Sequence, residues 1–342
     1  MMQSELVRTP LEPKPFKVSQ QPLATLMWQV IIALVPGIFA TFLFFGIGVL
    51  IQIFLALATV MLVDYSIRFI YQEHPKFDVK DGTSAVLAII VAISLPPYCP
   101  WWITVMSAAV ATGLGKQLYG GTGQNLFNPA MVGIVFALVC FPTISTYWPT
   151  VASAADITIG DGLALILGQR QHELDAISGA TLLEYERTQI ALAAMRSEFS
   201  ESGGYGMFAE RGWEWVNIAY LVGGVFLCVR RVIKPTIPVW FLGGIFVLTA
   251  IAHGIDGTRF AGPIVHLFSG ATILCAFFIA TDPVSSPTGR TATIVYAVAL
   301  AGSVFLFRHY SPYPDGVAFS IILLNALVPL LDRLFAKQIY GH

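Results

Sequence analysis

The sequence predicts an all-α integral membrane protein of about ten transmembrane helices, built as two inverted five-helix repeats with broken helices around an extracytoplasmic loop. Three observations predict it. Of 342 residues, 56% are hydrophobic and 11% charged, where soluble domains carry about 25% charged residues; the mean hydropathy is +0.72. Apolar runs recur at lengths approaching the ~20 residues that a spanning helix needs. The two halves also share sequence. Without gaps, the stretch from Thr83 to Pro97 lies over that from Ser269 to Pro283, and Asn125 to Ala130 falls opposite Asp315 to Phe319.

The apolar runs fall near 23–45, 47–69, 83–97, 100–119 and 129–147, then near 214–231, 237–254, 262–281, 291–308 and 315–335. The third ends at Pro96 and Pro97 and the eighth at Asp282 and Pro283. Proline lacks the N–H and clashes with the preceding turn, so it ends or breaks a helix. In a membrane such breaks persist where the backbone lines a cavity or is covered by protein. The chain therefore divides into a cytoplasmic segment 1–22, a first repeat 23–147, a loop 148–213, a second repeat 214–335 and a cytoplasmic tail 336–342.

With the N-terminus inside and ten alternating spans, cytoplasmic segments hold 13 of the 19 Lys and Arg residues. Arg170, Arg187, Arg196 and Arg211 lie in the long loop, where the positive-inside rule has little force, and short external loops keep Arg259 and Arg308. Both termini are thus expected in the cytoplasm. The loop carries nine acids against four arginines. Its length and the helical spacing of 182–199 predict a small ordered external cap.

Several classes are excluded. The net charge of −1 gives no footprint for nucleic acid. Cys99, Cys140, Cys228 and Cys275 lie in or beside apolar runs without a C-x-x-C pair, so they read as small buried hydrophobes, not metal or cluster ligands. The first 22 residues have no small-residue cleavage site behind a short apolar core and do not read as a secretory signal.

The tetrapeptide Ser-Gly-Ala-Thr occurs twice, at 178–181 in polar sequence and at 269–272 in apolar sequence. The second belongs to the repeat, where small residues open a packed or broken helix. The first has no counterpart. Asp175 stands six residues before Thr181, and Gly179 and Ala180 leave the Thr181 hydroxyl unshielded, as a modifying enzyme would need. Thr181 with Glu184 also fits the capping box S/T-x-x-E, and both readings stand. At the other candidate site, Asn125 and Asn128 precede Pro129, a favourable first helical residue, after Gly120, Gly121 and Gly123, which permit close backbone approach. A turn with a cap and a ligand site are equally open there. Asp282, an acid at the broken end of an apolar run, is costly unless paired and is a functional hypothesis. Asp315 reads as a helix N-cap, Asp64 as an interface carboxylate, and His253 and His266 as loop histidines flanking an external turn.

Together, Asp175-Ala-Ile-Ser-Gly-Ala-Thr181, Gly120–Ala130, Ala280–Ser285 and Tyr313–Phe319 carry a resemblance spanning about 20–335. The chain resembles the RnfD/NqrB family, whose members are membrane subunits of the Rnf (Rsx) electron-transport complex and of the sodium-pumping NADH:quinone reductase. The match is nearer to the Rnf branch. The resemblance implies a membrane flavoprotein with no complete active site of its own. It would relay electrons between ferredoxin and NAD, which bind partner subunits, coupled to Na+ or H+ translocation at the bacterial inner membrane. It implies covalent FMN, placed by a flavin transferase as a phosphoester on Thr181, within a signal formed by Asp175, Ser178, Gly179 and Ala180; the loop becomes a periplasmic flavin carrier. It implies noncovalent riboflavin near Asn125, Asn128, Pro129 and Asp282, whose amides and carboxylate suit a flavin's imide edge and hydroxyls. The competing expectations are a urea-transporter-like solute channel, which would not need the Asp175–Thr181 signal, and an assembly scaffold, which would leave both motifs without cargo.

Overall fold

The computed structural model describes residues 22–70, 81–121, 123–170, 173–192, 205–313 and 315–336. The described residues are helical throughout, with two isolated β-bridges and no strand. The first half contains α1 (Leu23–Phe45), α2 (Gly48–Ile70), α3 (Thr83–Ser94), α4 (Trp101–Gly113) and α5 (Pro129–Cys140). The polar stretch forms α6 (Val151–Ala155), α7 (Ile159–Ile166), α8 (Leu174–Ile177) and α9 (Leu182–Leu192). The second half contains α10 (Trp213–Val229), α11 (Thr236–Ile255), α12 (Pro263–Phe268), α13 (Thr272–Leu274, continuing as a π-turn over Cys275–Ile279), α14 (Arg290–Tyr310) and α15 (Val317–Leu334).

Five of these helices, α1, α2, α11, α14 and α15, are long and apolar enough to cross a membrane. At 1.5 Å per residue the 23-residue α1 reaches ~34 Å, against a hydrocarbon core of ~30 Å. The other apolar runs contain shorter helices than their lengths predict. α3 stops at Ser94 before Pro96 and Pro97, α4 at Gly113 and α5 at Cys140 before Pro142. The eighth run is interrupted twice: α12 ends at Phe268, Gly270 takes φ +60°, and the π-turn begins at Cys275. At the breaks after α3 and within the eighth run, Leu95 to Pro100 and Thr272 to Ala280 are buried, so protein covers the interrupted backbone there. The N-terminal segment 1–21, the linker 71–80, residues 193–204 and the tail 337–342 lie outside the described residues, so the helix expected over 182–199 is described as far as Leu192.

Packing pairs the halves. In the first half α2 packs on α3 and α4, and α4 on α5; in the second α11 packs on α12 and α14, and α14 on α15. Across the halves α1 packs on α10 and α5 on α15. Between apolar helices in lipid, no hydrophobic force favours contact, so close approach through small residues supplies the attraction. A Cβ on Gly223 of α10 would collide with the Ala33 carbonyl of α1, and one on Gly37 of α1 with the Tyr220 ring. α6 packs on α1, α7 on α2 and α9 on α14, so the polar stretch is a folded cap across one end of the bundle. Cys99 and Cys275 are buried as expected, whereas Cys140 is exposed on α5.

Candidate functional site

Among the described residues, the motifs that the sequence singles out line two cavities in the bundle. The smaller, about 130 Å³, opens beneath the cap between Trp148, Thr181, Glu210, Trp213, Gly270 and Asp315. The larger, about 400 Å³, is bounded by the start of α1, the start of α3, Lys116, the Asn125–Ala130 segment and Phe277–Val284. Asn125, Asn128, Pro129 and Asp282 all line it, although more than 150 residues separate Asn128 from Asp282 in the chain.

The matched segments of the two halves connect these cavities in opposite senses. Thr83, at the head of α3, lines the larger cavity, while Ser94 and Leu95 at its end line the smaller. In the second half Gly270 and Ala271 line the smaller and Thr281 to Val284 the larger. α5 likewise opens at the larger cavity and α15 at the smaller.

Asp175 is exposed in the single turn α8, and Ser178 caps that turn's C-terminus, its hydroxyl donating to the Asp175 carbonyl at 3.2 Å. Gly179 donates its N–H to the Trp148 carbonyl at 3.0 Å, and a Cβ there would stand 2.5 Å from the Thr150 methyl. Here close approach demands glycine. Ala180 is exposed, and Thr181 is half-buried at the cavity wall. The Thr181 Oγ1 accepts the N–H of Glu184 at 3.3 Å and so caps α9. That bond uses one acceptor lone pair. A phosphoester oxygen can accept the same N–H, and the helix N-terminus favours an anion.

Thr272 contrasts at every point. It is fully buried, and its hydroxyl lies within 2.7 Å of the His266 carbonyl and 3.1 Å of the Ser269 carbonyl while accepting from Arg308 at 2.8 Å. The two Ser-Gly-Ala-Thr copies nevertheless meet: a Cβ on Gly270 would lie 2.9 Å from Leu183, two residues after Thr181.

At the larger cavity, Asn128 is the N-cap of α5. Its Oδ1 accepts from Ala130 and Met131 at 3.1 and 3.3 Å, while Nδ2 donates to the Ile279 carbonyl at 3.3 Å, tying α5 to the end of the π-turn. Pro129 occupies the first helical position, as its spacing predicts. Asn125 donates to the Phe127 carbonyl at 2.9 Å. Asp282 accepts from the Ser285 hydroxyl at 2.7 Å and from the Val284 N–H at 3.3 Å. Gly120, Gly121 and Gly123 take φ between +92° and +101°, and no neighbour stands within 3.8 Å of a Cβ placed there. Their left-handed backbone favours glycine, and no protein neighbour makes a close approach to them.

Other polar residues also depart from their sequence readings. Asp315 does not cap α15, whose N-cap is Gly316. It pairs with Arg308 at 2.5 Å and accepts the Ala271 N–H at 3.0 Å. Arg308 is therefore no loop charge but a buried one, also donating to the His266 carbonyl at 2.9 Å. His266 is buried with its Nε2 3.6 Å from Glu186, while His253 remains exposed. Asp64 is buried and bonded to Lys116, Ser84 and Gln117, partners that its sequence position does not announce. Glu210, which lines the smaller cavity outside the spans, has its carboxyl pushed up to about 8 by burial and by the nearby Asp315 and Glu184 charges, opposed by a bond from the Leu182 N–H.

This is a multi-pass helical membrane protein with two cavities stacked between its halves and a folded cap over one of them. Comparison with known proteins is specific. The model of the NQR2, RnfD, RnfE family matches residues 11–341, and the chain belongs to that family. It is 39% identical over 340 residues to the D subunit of the ion-translocating oxidoreductase complex of Yersinia pseudotuberculosis serotype I (strain IP32953), covering 96% of this chain and 97% of that one. It is 39% identical over 339 residues to the protein of the same name from Aeromonas salmonicida (strain A449), with the same coverage. Against that of Pectobacterium carotovorum subsp. carotovorum (strain PC1) it is 38% identical over 344 residues, again covering 96% and 97%.

Proposed function

We propose that this chain is the flavin-carrying membrane component of an Rnf-type ion-translocating oxidoreductase complex, with FMN as a phosphoester on Thr181 and riboflavin in the larger cavity. The observation that carries the reading is the contrast between the two matching tetrapeptides. Thr181 is half-buried, follows an exposed Ala180, caps a helix through one long bond and stands at a cavity wall. Thr272, in the same four-residue context, is sealed in the core with its hydroxyl engaged by three partners. Asp175 stands six residues before Thr181 where His266 stands before Thr272, and the difference in accessibility favours the same threonine.

The residues fit these groups. At Thr181 the N-terminus of α9 favours a phosphate, which can take over the Glu184 N–H, and Trp148 and Trp213, with ring centroids 4.8 Å apart, border the cavity beside it. At the larger cavity, apolar walls from Ile90, Phe277 and Phe278 would cover a flat ring, while Asn125 and Asp282 offer polar partners and Asn128 fixes the wall by capping α5. The volume of about 400 Å³ lies within the ~300–1,000 Å³ usual for small-molecule sites. Flavin exchanges one or two electrons, so each site would serve as a relay station between partner proteins that bind ferredoxin and NAD. The covalent link would hold the external flavin on the cap against loss. The opposed courses of the matched segments support ten spans as two inverted repeats, and the Lys and Arg distribution supports cytoplasmic termini and a periplasmic 148–213 cap in the bacterial inner membrane.

The test uses protein co-expressed with a flavin transferase and run on a denaturing gel. Wild type and Thr272→Ala give a flavin-fluorescent band, and Thr181→Ala gives none. A fluorescent Thr181→Ala band overturns the attachment site. Acid-extractable flavin persists in Thr181→Ala and falls in Asp282→Ala; unchanged content there overturns the riboflavin site.

A further inference from the structure

The larger cavity has one charged side chain that no motif pointed to. Lys116, in the turn after α4, lines it alongside Asn125, Asn128 and Asp282. Its side chain is 4% exposed. The ammonium donates to Asp64 Oδ2 at 3.0 Å and to the Ser84 hydroxyl at 2.8 Å, which leaves the third of its donors uncommitted among the described residues. Asp64 in turn accepts from Gln117 at 2.6 Å and from Ser84. α2, α3 and the turn after α4 are thus tied together by one buried carboxylate at the edge of the cavity.

Such a pair is a weak source of stability. Burying both charges costs about as much as their attraction returns, and apolar replacements are often neutral or stabilising. Stability alone therefore gives no reason to place a lysine at this wall. We propose that Lys116 is the counter-charge of the larger cavity, holding a flat redox ligand more tightly when that ligand is reduced, with Asp64 and Ser84 fixing the ammonium and attenuating its field. The proposal rests on the functional reading above. An electron reaching a bound flavin without a proton leaves one negative charge on the ring, and a cation at the wall favours that form. A unit charge acting across a cavity of this size at an effective dielectric constant of ~20 shifts the reduction equilibrium by about tenfold.

The experiment is a mediated redox titration of the noncovalent flavin in the full-length Thr181→Ala protein, where the covalent group cannot interfere. Lys116→Gln lowers the midpoint potential by about 59 mV, the tenfold change expressed for one electron. Lys116→Arg stays near the parent. Asp64→Asn, which leaves the ammonium uncompensated, moves the potential the opposite way. Because removing one partner of a buried pair destabilises the fold, the neutral double variant Asp64→Asn with Lys116→Gln secures the reading, with a potential below the parent and above Lys116→Gln alone. Equal flavin content with unmoved potentials, or shifts of the same sign in Lys116→Gln and Asp64→Asn, overturns the assignment of Lys116. A parent protein without extractable flavin overturns the functional reading and this assignment with it.

Discussion

Asn217 holds the break in the second half open at the register that builds the smaller cavity. It sits on α10, 1% exposed, and its Nδ2 group lies 3.0 Å from the Trp213 carbonyl, 3.0 Å from the Phe268 carbonyl and 3.1 Å from the Gly270 carbonyl. Phe268 and Gly270 flank Ser269 at the gap between α12 and α13, where carbonyls lack the continuous ladder of a helix. Asn217→Leu conserves volume and removes the donor. Each part-buried carbonyl left without it costs about 1 kcal/mol, the low end of the ~1–3 kcal/mol range, so the pair costs ~2 kcal/mol. At ~2–4 °C per kcal/mol the unfolding temperature falls by ~4–8 °C. Asn217→Asp falls further, because it sets a carboxylate against three carbonyl oxygens. Thermal unfolding in detergent at one scan rate, followed by tryptophan fluorescence, reads both. An Asn217→Leu melt within ~1 °C of wild type would refute the claim that this amide supports the break.

Three further outcomes follow from the packing, the cap and the topology. Gly223→Leu drives a side chain into the Ala33 carbonyl and separates α1 from α10. It should lower the yield of monodisperse protein sharply in size-exclusion chromatography, whereas Gly113→Ala, with no neighbour within 4 Å of its Cβ, should not. Glu210 has a folded-state pKa raised to about 8 from 4.5, so the stability it contributes is complete below about 4.5 and is lost as pH rises through about 8. Melting temperatures of wild type should fall across that window more steeply than those of Glu210→Gln, and parallel curves would remove Glu210 from the account. A single cysteine placed at exposed Asp175, in a background lacking the four native cysteines, should react with an impermeant maleimide in intact spheroplasts. Labelling that requires permeabilisation would reverse the topology.

The sequence carried the coarse fold because apolar run length and proline position act locally. Pro129 at the head of α5, the end of α3 before Pro96 and the disrupted eighth run were legible for that reason. What it hid depends on partners far along the chain. Asp64 shows no partner in the sequence until Lys116, 52 residues on, pairs with it, and Arg308 reads as a loop charge until the His266 carbonyl, 42 residues back, receives it. The same distance explains Asp315: a Pro-Asp-Gly string is a plausible cap, but the Ala271 amide and Arg308 claim its carboxylate first. The grouping of Asn125, Asn128, Pro129 and Asp282 at one cavity was anticipated through resemblance, whereas Lys116 carries no motif. Its burial is the signal, and a count that assigns positive charges to one side of the membrane conceals it.

Intact-mass spectrometry of the purified chain, co-expressed with a flavin transferase and stripped of noncovalent ligands, tests the central claim most directly. The account predicts a mass greater than that of the polypeptide by one esterified FMN, with the increment on the peptide containing Thr181 and absent from the one containing Thr272. A chain with the mass of its amino acids alone, or an increment on any other residue, would contradict it.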